Sequence, residues 1–210
     1  MNMNTLRHLS LALLLCLSVT SASSVFAAPA PVPDERDRQV LESVLLHLLA
    51  DSKFNLTKVS TNGTTIILHT RTPEKTGFLM SGQIRGDIGN HTLPGDVEKN
   101  LRQRNTPPGA KPDTYEAVPA FYTNLTFAAG ITVADLTGQM GSLFFGAFEK
   151  AHPHARGYVK AYLPGYSKDG TLAVVRMNVG PSAHGGMVTA LLEKRGDKWV
   201  VQWHHLARYA

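Results

Sequence analysis

Apolar and polar positions alternate with period two in four successive runs near the end of the chain: 157–163 (GYVKAYL), 172–179 (LAVVRMNV), 186–194 (GMVTALLEK) and 199–209 (WVVQWHHLARY). Turn residues separate the runs: Pro164-Gly165 and Lys168-Asp169-Gly170, then Gly180 to Gly185, then Arg195-Gly196-Asp197-Lys198. Glycine supplies positive φ and proline presets its own, so β-rich runs punctuated in this way predict a four-stranded antiparallel meander. The alternation also predicts a register, because a slip of one residue turns a whole strand over. Ala173, Val175, Met177 and Val179 make one apolar face, and a six-residue loop sets Val188, Ala190 and Leu192 beside them. A four-residue turn adds Trp199, Val201 and Trp203, with His205 next on the same face. The opposite face then carries Arg176, Asn178, Thr189, Glu193, Gln202, His204 and Arg208 and reads as wet. A sheet with one oily face requires a helical layer over it.

The period changes to that of a helix after Asp34, where Val40, Leu41, Val44, Leu45, Leu48 and Leu49 form one stripe up to about Ala50. Runs 56–60 and 64–72 flank Thr61-Asn62-Gly63 and predict an early β-hairpin, Asn-Gly being a strong short hairpin signal. Residues 74–92 read as loop with at most a short strand, Pro94 opens a short polar helix to about Arg104, and 106–113 is loop. Residues 121–127 alternate as a further strand. Thr132 to Asp135 resembles a capping box before a helical stripe of Leu136, Met140, Leu143, Phe144, Ala147, Phe148 and Ala151, weakened by Gly138 and Gly146. The fold class predicted is α+β: a C-terminal four-stranded antiparallel meander covered on one face by helices, with an early hairpin.

Residues 9–19 are apolar, and Val25 and Ala27 occupy the −3 and −1 positions of a signal-peptidase site. This predicts a signal peptide over 1–27, a Pro/Ala leader over 28–33 and one α+β domain over 34–210, exported to the periplasm or beyond. The apolar run is too short for a comfortable membrane span. The single cysteine, Cys16, lies inside it behind Leu15, which does not fit a lipidation signal. The rest of the chain therefore has no thiol for disulfides or metals. The net charge is +5, but the basic residues are scattered without interleaved aromatics, which argues against a nucleic-acid partner. The four Asn-x-Ser/Thr sequons read as polar turn and strand residues.

Chemical motifs are sparse. Gly180-Pro-Ser-Ala-His184 lacks the final glycine of a nucleophile elbow and precedes a strand rather than a helix. His204 and His205 point to opposite faces of one strand, and His152 and His154 sit at a helix end, so no metal site and no cofactor is predicted. The ligand-binding candidates are His205, Trp203 and Met177 under the meander. A histidine on an oily face needs a hydrogen-bond partner or a rim position, and in a pocket it could act as a general base.

The leading helix, early hairpin, later helices and closing meander ending in Lys198-Trp-Val-Val-Gln-Trp-His-His resemble the α+β cone of the nuclear-transport-factor-2-like superfamily. The resemblance implies a curved sheet and helices around a pocket, in members that are either non-catalytic binders or small isomerases, dehydratases and cyclases. It assigns no catalytic residue here. The leading expectation is non-catalytic binding of a small apolar ligand or a partner. The alternative is acid-base chemistry on an apolar small molecule, with His205 as the base.

Overall fold

Asp34 opens the first helix as its sequence predicts. In the computed structural model, which describes residues 31–51, 63–107, 110, 116–139, 145–181 and 186–208, α1 spans Glu35–Ala50. The Asp34 carboxylate accepts from the Asp37 backbone N–H and the Asp37 carboxylate accepts from the Asp34 N–H, a reciprocal capping box. The stripe of Val40, Leu41, Val44, Leu45 and Leu48 is fully buried.

The predicted sheet is corrected. Seven strands form one mixed sheet: β1 Thr65–His69, β2 Ile131–Ala134, β3 Ala155–Ala161, β4 Gly165–Tyr166, β5 Leu172–Gly180, β6 Gly186–Arg195 and β7 Lys198–Arg208. Their order is β2-β1-β3-β5-β6-β7, with the short β4 also on β5. Strands β3, β5, β6 and β7 are antiparallel neighbours, but β1 runs parallel to both β2 and β3. The early hairpin is overturned for that reason, since both edges of β1 are occupied by parallel partners. Its proposed first strand, 56–60, lies outside the described residues. The physical cause is legible in β1 itself: Ile66, Ile67 and Leu68 are consecutive apolar residues, the pattern of a strand buried on both faces. Ile66 and Leu68 join the α1 core, whereas Ile67 packs with Leu136, Phe148 and Tyr158.

The register of the oily face holds over β5 and β6, where Ala173 pairs with Leu192, Val175 with Ala190 and Met177 with Val188. It also holds where β7 begins, with Leu192 opposite Val201. A bulge then intervenes. Leu191 pairs with Trp203, so Gln202 is the extra residue and every later side chain of β7 changes face. The face read as wet is not wet, because a second helical layer covers part of it. A 3-10 turn Gly77–Leu79, α2 Ser81–Asp87 and α3 Gly95–Asn105 lie where the sequence suggested loop and one helix. Leu79, Ile84, Ile88, Val97 and Leu101 pack there on Tyr162, Val174 and Met187.

Arg176 and Thr189 are consequently buried in this layer. The Arg176 guanidinium donates to Asp87 Oδ2 at 2.6 Å and to Thr189 Oγ1 at 2.7 Å, which supplies partners a buried charge requires. Residues 121–127 form no strand: Phe121 makes one isolated bridge to Arg71. The strand falls instead on Ile131–Ala134, where a helix start was expected, because that segment completes the parallel trio beside β1. The later helix, α4, spans Phe145–Ala151. The part of its predicted stripe at Met140, Leu143 and Phe144 lies outside the described residues, as does the loop at Ser182 and His184.

Candidate functional site

The three ligand-binding candidates do not converge. Met177 is fully buried in the α1 core, packed among aliphatic side chains of β5 and β6. Trp203 lies on the other face of the sheet, with the His91 ring stacked on it at 4.5 Å. His205, also turned over by the bulge, sits against Gly89 just beyond α2, where a Cβ would come within 3.0 Å of its ring. This corrects the placement of His205 and Trp203 on the oily face. The space under the meander is filled by side chains of α1. It is His204 that faces α1: its Nδ1 lies 3.1 Å from His47 Nε2 and its Nε2 lies 3.5 Å from an Asp51 carboxylate oxygen. Burial holds the His204 imidazole below its ordinary pKa, reinforced by His47 and opposed by Asp51.

The open space is elsewhere. A cleft of about 720 Å³ lies between the first turn of α1, the polar stripe of α3 and the β4–β5 turn. Helix α3 presents Asp96, Lys99, Asn100, Gln103 and Arg104 to it, while Val97 and Leu101 on the other stripe are buried. Spacing of three and four residues places such groups on one helical face.

Side chains of this helix satisfy several backbone groups of residues 163–166, beside the pairing of β4 with β5. Asn105 accepts from the Leu163 N–H and donates to the Leu163 carbonyl, both at 2.9 Å. Asn100 accepts from the Tyr166 N–H at 2.9 Å, and Arg104 donates to the Pro164 carbonyl at 2.7 Å. Gly165 permits the approach, since a Cβ there would lie 2.5 Å from the Leu101 nitrogen.

Tyr166 forms the floor. Its hydroxyl donates to Asp37 Oδ1 at 2.7 Å, and its ring is covered by the Arg36 guanidinium at 3.6 Å from the centroid. Arg104 makes a bidentate pair with the fully buried Asp37, at 2.7 and 2.9 Å. Burial, and then the Asp37 charge, pushes the Tyr166 phenol well above its usual range. Burial opposes the charge of Arg104, but the Asp37 carboxylate outweighs it and raises the guanidinium pKa.

The charges of the cleft do not cancel. Asp37 neutralises Arg104, and the ionised Asp96 and Asp169 in the cleft wall offset two of the three remaining cations, leaving one net positive charge; Asp169 accepts from Ser167 Oγ, Thr171 N–H and Thr171 Oγ1 within its own turn. Those bonds, the Ser167 hydroxyl first, hold its carboxyl at about 2. Asp96 accepts from the Lys168 N–H. Among the described residues Arg36, Lys99 and Lys168 have no ion pair, and all three are exposed around the Tyr166 floor. Lys99 reads in the sequence only as one of several scattered bases. The convergence of α1, α3 and the 168–170 turn has no sequence signal, although the Lys-Asp-Gly turn itself was legible.

Among the described residues no cluster of three or more His, Cys, Asp or Glu side chains is placed to hold a metal ion, and no helix is long and apolar enough to cross a membrane. No family model matches the chain, and no curated protein or solved structure matches it.

Proposed function

We propose that this chain is an exported, non-catalytic binder of a small anionic molecule, held in the cleft over Tyr166. The single observation that carries this reading is the set of three cations without ion pairs, Arg36, Lys99 and Lys168, around one aromatic floor. A cleft of this volume suits a drug-sized ligand, and arginine and lysine donors suit carboxylate, phosphate or sulfate groups. The expectation of an apolar ligand gives way, because the apolar face of the meander is packed and the open space is polar. The resemblance to the cone superfamily supports small-ligand binding in general and supplies no residue to this site. Export rests on the apolar run 9–19 and the Val25/Ala27 spacing.

The test is isothermal titration and thermal melting with citrate, tripolyphosphate and a sulfated disaccharide at low and moderate salt. Binding is expected for at least one of them, weakening as salt rises because the cations are exposed. A ligand present at a hundred times its Kd raises stability by about 2.7 kcal/mol. Lys99→Glu/Lys168→Glu is expected to abolish binding without loss of fold, since both side chains are exposed. Absence of binding at millimolar concentrations, or binding that the double substitution leaves intact, overturns the reading.

A further inference from the structure

The three parallel strands end together. β1 ends at His69, β2 at Ala134 with Asp135 next, and β3 at Ala161 with Lys160 before it. In sheets with parallel strands, sites collect at the carboxyl ends, where adjacent connections diverge. Leu68 and Val159 are register partners and both enter the α1 core, so His69 and Lys160, one residue on, face the other way side by side. His69 is 1% exposed, and its Nδ1 accepts from the Leu136 N–H at 3.1 Å. Its Nε2 is buried and has no partner among the described residues. Asp135 lies 3.9 Å from Nδ1.

Lys160 is the unusual member. Its side chain is only 12% exposed, and the nearest carboxylate, Glu74, is 3.9 Å from Nζ and already hydrogen-bonded to Arg71. Asn178, its register partner on β5, stands on the same face. An ammonium has three donors, and none of those of Lys160 has a hydrogen-bond acceptor among the described residues. A mostly buried lysine whose one nearby carboxylate is shared with an arginine is only partly compensated, which favours the neutral amine, the nucleophilic form. Burial does hold its pKa below the ordinary lysine value; Glu74 and Asp135 oppose the shift and Arg71 reinforces it.

The geometry points to Lys160 as a reactive amine at the carboxyl ends of β1, β2 and β3, taking a small aldehyde or ketone as an imine. The neutral Nζ attacks the carbonyl carbon to form the new C–N bond. The C–O bonds then break, and the two protons lost from nitrogen leave with the carbonyl oxygen as water. This site is separate from the cleft over Tyr166, so the inference stands or falls independently of the anion-binding reading.

Reductive methylation of the full chain with formaldehyde and cyanoborohydride at pH 7, followed by peptide mapping, tests it. Formaldehyde is small enough to reach a side chain of low exposure. A lowered pKa leaves more of the amine neutral at pH 7. Lys160 is therefore expected to be methylated faster than the exposed Lys99, Lys150 and Lys168. Glu74→Gln, which removes an opposing anion, is expected to speed Lys160 further. Methylation of Lys160 at the same rate as the exposed lysines, or slower, overturns the proposal.

Discussion

The side chain whose loss should cost most is Asp37. It accepts from Arg104 twice, from the Tyr166 hydroxyl and from the Asp34 N–H, and so joins α1, α3 and β4 at one buried point. Asp37→Asn keeps the volume but removes the charge and turns an N–H₂ toward donors. Breaking a buried ion pair from one side costs about 3–5 kcal/mol, because the remaining charge stays desolvated. The Arg104 side chain retains 21% exposure and the Pro164 carbonyl as an acceptor, so the lower end, about 3 kcal/mol, is expected. For a chain of this size that is a fall in Tm of about 6–12 °C. Urea unfolding followed by tryptophan fluorescence and circular dichroism measures it, with Trp199 reporting from 6.0 Å beside Tyr166. The paired change Asp37→Leu/Arg104→Met should recover most of the loss, since an apolar pair leaves no orphan charge. The reasoning is refuted if Asp37→Asn loses less than about 1 kcal/mol, or if the double variant loses the sum of the two single ones.

Two further outcomes follow from the packing and the histidines. Gly165→Ala places a Cβ 2.5 Å from the Leu101 backbone and should cost about 1–3 kcal/mol, with faster amide exchange in α3. Gly86→Ala, in α2 with nothing within 4 Å, should instead be neutral or stabilising by up to about 1 kcal/mol. Equal effects at the two sites in urea unfolding would contradict this. Burial lowers the pKa of His69, His152 and His204 in the fold, so the unfolded chain binds more protons in that range. Their contribution is complete above the unfolded value of about 6.5 and is lost as pH falls below it toward the lower folded values. The urea midpoint should fall between pH 7.5 and 5.5, less steeply in His69→Gln; a flat or rising midpoint would show the sign to be wrong.

Periodicity and local residue chemistry determined α1 and its cap, the antiparallel neighbours β3, β5, β6 and β7 but not β4, and the registers of the oily face up to Val201. These follow from local alternation and turn chemistry, which act over a few residues. Tertiary structure decided the rest. The continuous apolar run of β1 signals burial on both faces but not its partners, and only the fold sets Ile131–Ala134 and Ala155–Ala161 beside it in parallel. The bulge at Gln202 shows only in the pairing of β7 with β6, and one extra residue there exchanged the faces of His204 and His205. Arg176 reads as a surface charge until Asp87, nearly ninety residues earlier, is folded over it. The cleft over Tyr166 and the Lys160 site likewise draw on segments from three parts of the chain. Chain entropy hides such convergence from the sequence, because nothing local marks residues that meet only after long loops close.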